Sequence, residues 1–460
     1  MLQDVLGHYA VDERTSVLPT GVVHGAKRTI IDWFAAVLPG GERPPATSLV
    51  AALGEDSGRG EASLFPSGLR TTARTAALIN GTAAHLVEFD DIFRDAIYHP
   101  GAPVIAAALA TAQAADADGD TLLRAVIVGY EISTRIAVAL SPAHYKYWHT
   151  TGTVGTLGAA VAAGTVLGLN AGAMAHALAT SATFAAGLQQ AFRSDAMSKP
   201  LHAGRAAEGG VLAAMLAAHG VTGAANMLEG DRGMGQAMSG ACDWSKAVEG
   251  LGTRYNITAM TIKNHGCCGH TFAAIDGALA LRSRESLRPQ EIERVDVETY
   301  QTALDVTGNF QPTTEFEARF SLPFVVSSAL VHGSVRLDAF THERLADPLV
   351  RDLMRRFELR VDPRIEAAFP AQRAARVVLH ARGGRRFEFF QPTRKGDPDL
   401  PLTDAELDDK YLELTVPVVG RERADRLLET LRSLESLDSV RDVSLEPRDA
   451  PVALVTGFTT

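Results

Sequence analysis

Residues 153–169, Thr-Val-Gly-Thr-Leu-Gly-Ala-Ala-Val-Ala-Ala-Gly-Thr-Val-Leu-Gly-Leu, decide the class of fold. Gly155 and Gly158 stand among alanines, and nothing in the stretch alternates with the period of two that a half-buried strand needs. Small side chains at this spacing let helix axes approach closely, so the stretch predicts a helix inside a tightly packed bundle.

Working outward, residues 101–115 and 121–140 are runs of Ala, Val, Ile and Leu joined by the turn-forming Ala-Asp-Gly-Asp at 117–120. On the other side, Asn170 is placed to cap a helix running to Phe192, and Ala203 to His219 forms another, closed by Gly220. Further out, residues 21–38 space Ile30, Ile31, Phe34, Val37 and Leu38 on one helical face and stop at Pro39-Gly40-Gly41. Residues 46–53 and 70–87 repeat the theme. Together these predict an all-helical domain over 1–262.

Near residue 263 the texture changes. Val295 to Tyr300 alternates, and Arg376 to Phe390 reads as two strands around Gly383-Gly384, a hairpin signal. Helical patterns at 270–283, 322–333 and 345–358 are interleaved with them, while 391–402 carries breakers and reads as a connection. Thr403-Asp-Ala-Glu406 is a capping box, and 420–437 is amphipathic again. The expected fold is mainly α: a large helical domain from 1–262 with 403–460, plus a smaller α+β domain over 263–402.

The bulk numbers narrow the function. At 460 residues the chain exceeds what one hydrophobic core organises. A formal net charge of -10 without a long Lys/Arg run argues against nucleic acid as a partner. Arg124, Glu131 and Arg135 interrupt the apolar run 121–140, which is wrong for a membrane span. Three cysteines, two of them adjacent (Cys267 and Cys268), build neither a disulfide framework nor a zinc site. With no signal peptide evident, the chain reads as cytoplasmic.

Dinucleotide, Walker, zinc-protease and serine-hydrolase signatures are all missing. What the chain has instead is a crowded stretch at 85–99, where Glu88, Asp90, Asp91 and Asp95 accompany His85 and His99. The carboxylate spacing near His99 matches no established ligand set, so no metal is expected. On its own the stretch is equally a pair of helix caps and a loop histidine. Three further clusters add weight: Trp148-His149-Thr150 before a Gly/Ala-rich helix, Lys199-Pro200-Leu201-His202 followed by Arg205, and Lys263 with His270 near the domain junction. Helix N-termini and cations suit an anionic ligand.

With those residues in hand, the sequence resembles the MmgE/PrpD family. The matching segments are Asn80 to Pro103, His149-Thr-Thr-Gly-Thr, Lys199-Pro-Leu-His-Ala-Gly-Arg205, Lys263 to His270 with Asp276, Arg319-Phe-Ser-Leu-Pro, and Arg394-Lys-Gly-Asp-Pro. The resemblance implies a homodimer whose helical domain carries an α+β lid, acting on a small anionic polycarboxylate without metal or organic cofactor. Family members include 2-methylcitrate dehydratase, cis-aconitate decarboxylase and iminodisuccinate epimerase. Carried over position by position, the resemblance matches His99, His149, Lys199, Lys263 and the pair Asp90-Asp91 to family active-site positions. Together with the residues read above, the expectation is His99, His149, Asp91, Lys199 and Lys263 as catalytic residues, with Glu88, Asp90, Thr150, His202, Arg205 and His270 binding substrate. Two departures stand out: Glu88 replaces the Asp, and Ile92 the Thr, of decarboxylase-like members. The leading expectation is therefore a hydro-lyase acting next to a carboxylate. Epimerase and decarboxylase are the alternatives, and a noncatalytic binding protein is the remaining class.

Overall fold

The computed structural model describes residues 1–192 and 196–447, which fall into two compact units. One comprises Met1–Thr261 and the chain from Asp404 onward; the other is Ile262–Thr403.

The first unit contains α1 (Leu2–Asp12), α2 (Thr20–Gly40), α3 (Ala46–Ala52), α4 (Ala73–Leu86), α5 (Gly101–Ala115), α6 (Gly119–Leu140), α7 (Thr150–Val166), α8 (Ala171–Phe184) and α9 (Ser198–Ala218). Local chemistry starts several of these. Asp118 Oδ1 accepts the Thr121 N–H at 2.8 Å to open α6, and Asn170 Oδ1 accepts the Ala173 N–H at 2.9 Å to open α8. Residues Thr150 to Thr165 of α7 are all buried, and the helix packs against α5, α6, α8 and α9. Glycine makes this possible: a Cβ on Gly158 would lie 2.8 Å from the Ser133 side chain of α6 and from Val104 of α5. The α4/α9 contact is closer still, since a Cβ on Gly204 would fall 2.2 Å from the Leu78 carbonyl.

The second unit contains α10 (Phe272–Glu285), α11 (Leu322–His332) and a four-stranded sheet. Its strands are β3 (Ile292–Thr299), β4 (Phe357–Val361), β5 (Ala375–Ala381) and β6 (Arg385–Gln391), in the order β4-β3-β5-β6. β5 and β6 form the hairpin expected around Gly383-Gly384, with Leu379 opposite Phe387. β3 pairs antiparallel with β5 and parallel with β4, placing Val297 between Val377 and Leu359. The chain then returns to the first unit as α12 (Asp404–Val419) and α13 (Arg421–Arg432). Lys410 of α12 is fully buried there, ion-paired with Asp32 of α2 and donating to the Phe89 carbonyl at 3.1 Å.

The fold is mainly α with a smaller α+β part, as the sequence indicates. Among the described residues no helix is long and apolar enough to cross a membrane.

Several element boundaries differ from the sequence reading. α2 runs through Pro39, because a proline in the last turn forfeits only one backbone bond. α8 stops at Phe184, eight residues short of the expected Phe192. The chain beyond it pairs with residues 147–149 instead, through His149 N–H to Gly187 O and Gln189 N–H to Tyr147 O, both 2.9 Å. α9 starts at Ser198, before Pro200, whose missing N–H costs nothing in a first turn. The expected helix over 345–358 is the short pieces His342–Leu345 and Pro348–Met354, and Phe357 is already in β4, drawn there by pairing with β3. The first unit also holds a minimal ribbon, β1 (Ala62–Ser63) with β2 (Arg70–Thr71), so it is not purely helical.

Candidate active site

α4 ends at Leu86, and the chain to Gly101 crosses the first unit without regular structure beyond a single 3-10 turn. Glu88 adopts φ +61 and Ile97 φ +47, the left-handed region that non-glycine residues rarely enter. Such strain is held only where surrounding contacts enforce it. Two aspartates of this segment are used in different ways.

Asp91 is a structural anchor. Its Oδ1 accepts the Gly101 N–H at 3.0 Å, fixing the start of α5, and its Oδ2 accepts the Tyr130 hydroxyl at 2.8 Å. Complete burial, reinforced by the nearby Asp32 charge, pushes its carboxyl up to about 8 against the opposing pull of the Tyr130 hydrogen bond.

Asp90, 2% exposed, serves the imidazoles. Its Oδ2 accepts from His85 Nδ1 at 2.5 Å and lies 3.2 Å from His99 Nδ1. A His85 ring that donates through Nδ1 leaves Nε2 as a bare lone pair when neutral, and that buried Nε2 meets no hydrogen-bond partner among the described residues. The rings continue as an array. His85 sits edge-on to His99 at 5.1 Å between centroids and stacks on His149 at 5.3 Å. His149 is the N-cap of α7 and 2% exposed; burial first, then the neighbouring His85, Lys199, His202 and His99 charges, hold its ring well below the usual histidine range.

On α9, Lys199 pairs with Glu88, and its ammonium lies 5.2 Å from the Phe192 ring centroid. His202, one turn on, meets His149 with the two Nδ1 atoms 3.1 Å apart. The structure thus brings Glu88, Asp90, His99, His149, Thr150, Lys199 and His202 into one neighbourhood in the first unit. Arg205 lines a cavity beside His202, but its side chain is 66% exposed and ion-paired with Glu208. Lys263 and His270 belong to the second unit, where Lys263 is buried and His270 Nδ1 meets the Tyr300 hydroxyl at 2.7 Å. Burial and the Arg373 and Arg394 charges lower His270 to about 4.

Sequence reasoning placed His85 in the crowded stretch, five positions before Asp90, but gave it no role in the site. Tyr130 and Phe192 carried no signal at all. One ligand atom each from His85, Asp90 and His99 lies within 4.8 Å of the others, a spacing a divalent ion can bridge. The approach of both rings to one Asp90 oxygen accounts for that spacing by hydrogen bonding and charge alone.

A family model for the MmgE/PrpD N-terminal domain matches residues 4–247, and one for the MmgE/PrpD C-terminal domain matches residues 265–436. The chain belongs to the MmgE/PrpD family. Among its relatives in that family is the cis-aconitate decarboxylase-like protein oryM of Aspergillus oryzae, 25% identical over 463 residues, or 95% of each chain. The cis-aconitate decarboxylase of Homo sapiens is 27% identical over 383 residues, covering 80% of this chain and 78% of its own. That of Aspergillus terreus is 24% identical over 472 residues, covering 97% and 95%. All three relatives carry decarboxylase names.

Proposed function

We propose that this chain is a cofactor-independent lyase that decarboxylates a small unsaturated or hydroxylated di- or tricarboxylate. The observation that carries the reading is the array His99, His85, His149 beside Lys199. Losing carbon dioxide leaves an electron pair on carbon next to anionic groups, so a site needs a fixed cation to offset that charge and an acid to protonate the carbon. Lys199 serves as the cation, exchanging Glu88 for a substrate carboxylate. His99, the more accessible ring with Asp90 at its back, delivers the proton. His149 stays neutral and deprotonates or orients the substrate. Asp91 is a buried support in this scheme.

In balance, the bond from carbon to the departing carboxylate breaks, carbon dioxide leaves, and the retained pair takes one proton. Hydro-lyase chemistry is the second reading, favoured by Glu88 and Ile92 standing where decarboxylase-like members carry Asp and Thr. Incubating the protein with cis-aconitate, citrates, malates and iminodisuccinate, followed by mass spectrometry, separates the chemistries. Carbon dioxide loss supports the proposal, loss of water moves the assignment to a dehydratase, and deuterium uptake at unchanged composition moves it to an epimerase. No change across the panel sinks all three. On the accepted substrate, Lys199→Met lowers kcat/KM by roughly 10²-fold or more, the scale of a lost transition-state charge contact.

A further inference from the structure

Among the described residues, the His149 ring has a single side-chain hydrogen-bond partner, His202 Nδ1. Two imidazoles meeting Nδ1 to Nδ1 must take opposite roles, one donating and one accepting, so the position of one proton sets both tautomers. Surroundings decide which. His149 is 2% exposed, so an N–H on its Nε2 would find little water to donate to, whereas a bare nitrogen there is cheaper. His202 has no such difficulty, because it lines a cavity of about 560 Å³ shared with Gly152, Thr156, Phe184, Ser198 and Arg205. An Nε2–H on His202 can be satisfied by water in that space.

The backbone is shaped around the pair. Gly187 adopts φ +130, and a Cβ on it would stand 3.2 Å from His202 Nδ1 and 3.5 Å from His149 Cβ. A Cβ on Gly152 would lie 3.1 Å from the His202 Cβ. The Gly187 carbonyl also accepts the His149 N–H at 2.9 Å, so one segment fixes both the backbone and the ring of His149.

We propose that His202 is the positioning residue for His149, accepting its Nδ1–H and so keeping the His149 Nε2 lone pair bare, and that small imidazole-type bases entering the cavity can replace it. This rests on the reading of His149 as part of the acid/base array, and it moves His202 from a substrate ligand to a residue acting through another. A proton then arrives at or leaves His149 Nε2 while the Nδ1 proton stays between the two rings. Lys199 and His85 face the same pair and, with burial, favour its uncharged form.

Two measurements test this. The first needs no substrate: nitrogen NMR of ¹⁵N-histidine-labelled protein reads the His149 tautomer. The expected result is a protonated Nδ1 and an unprotonated Nε2, with the preference lost in His202→Ala and kept in His202→Asn, whose amide oxygen can accept in place of Nδ1. The reverse tautomer in the unaltered protein overturns the proposal. The second uses whichever acid the unaltered protein consumes. His202→Ala is expected to lose roughly 10²-fold in kcat with KM nearly unchanged. Imidazole and methylimidazoles should restore turnover in order of their basicity, and His202→Asn should retain most of it. A loss confined to KM makes His202 a substrate ligand after all and overturns the proposal. So does an Ala variant with full kcat, or one that imidazole does not rescue while Asn fares no better. Should the Ala variant fail to fold, the Asn variant and the tautomer measurement carry the test. A protein inert toward every acid fails the functional reading and leaves the NMR result to judge His202.

Discussion

Asp90 and Asp91 are adjacent, similarly buried, and do different jobs, because one faces imidazoles while the other faces a helix start and a phenol. For Asp91 this has a consequence in pH. Its folded carboxyl titrates near 8, above the unfolded value of about 4, so the fold binds a proton that the unfolded chain has released. Its contribution to stability is complete below about pH 4 and falls by at most about 1.4 kcal/mol per pH unit as pH rises toward 8. Chemical denaturation of Asp91→Asn beside the unaltered protein at pH 5 and pH 8 should show the variant gaining relative stability at the higher pH. A difference that stays constant with pH would mean that Asp91 is ionised in the fold. Sequence alone could not separate the two aspartates, since what distinguishes them is Tyr130, thirty-nine positions away.

Among the elements, α7 shows what was legible early and what was not. Its composition announces a buried helix, and the glycines mark where neighbours come close. Gly158→Val should confirm that geometry by lowering stability by about 1–3 kcal/mol, because its added atoms meet Ser133 and Val104 with no space to yield. Calorimetry reads this directly, and an unchanged Tm would contradict the packing described. The start of α9 was harder to see. Lys199-Pro200 reads as a break, yet a proline in the first turn is compatible with a helix, and that turn carries Lys199 toward Glu88. β4 was invisible for a related reason: Phe357-Glu-Leu-Arg-Val361 fits a helix end locally, and only pairing with β3, 62 residues earlier in register, makes it a strand. Periodicity reports faces, whereas boundaries are settled by partners elsewhere in the chain.

At the scale of the whole molecule, the first unit is closed by chain that arrives last. Lys410 and Asp32 form an ion pair with both partners fully buried. Breaking such a pair from one side costs about 3–5 kcal/mol, while an apolar pair of similar volume is often neutral. Lys410→Met alone should therefore destabilise strongly, and Asp32→Leu with Lys410→Met should recover much of the loss, as urea titration would show. Equal stability of single and double variants would mean that the charge does not govern this contact. The sequence made the return of the C-terminal helices to the helical domain readable through the capping box at Thr403. It gave no hint that a lysine there would reach beneath Phe89, the residue between Glu88 and Asp90.

That arrangement also imposes a schedule on the ribosome. Asp32 emerges early, and its partner is 378 residues further along. At about 5–20 residues per second, the carboxylate waits roughly 20–80 seconds before Lys410 is even synthesised. By the end of that interval the second unit has been made and can fold, while the first cannot be finished. Nascent chains stalled before Lys410 would be expected to engage holding chaperones through the helical segment, although it was translated first.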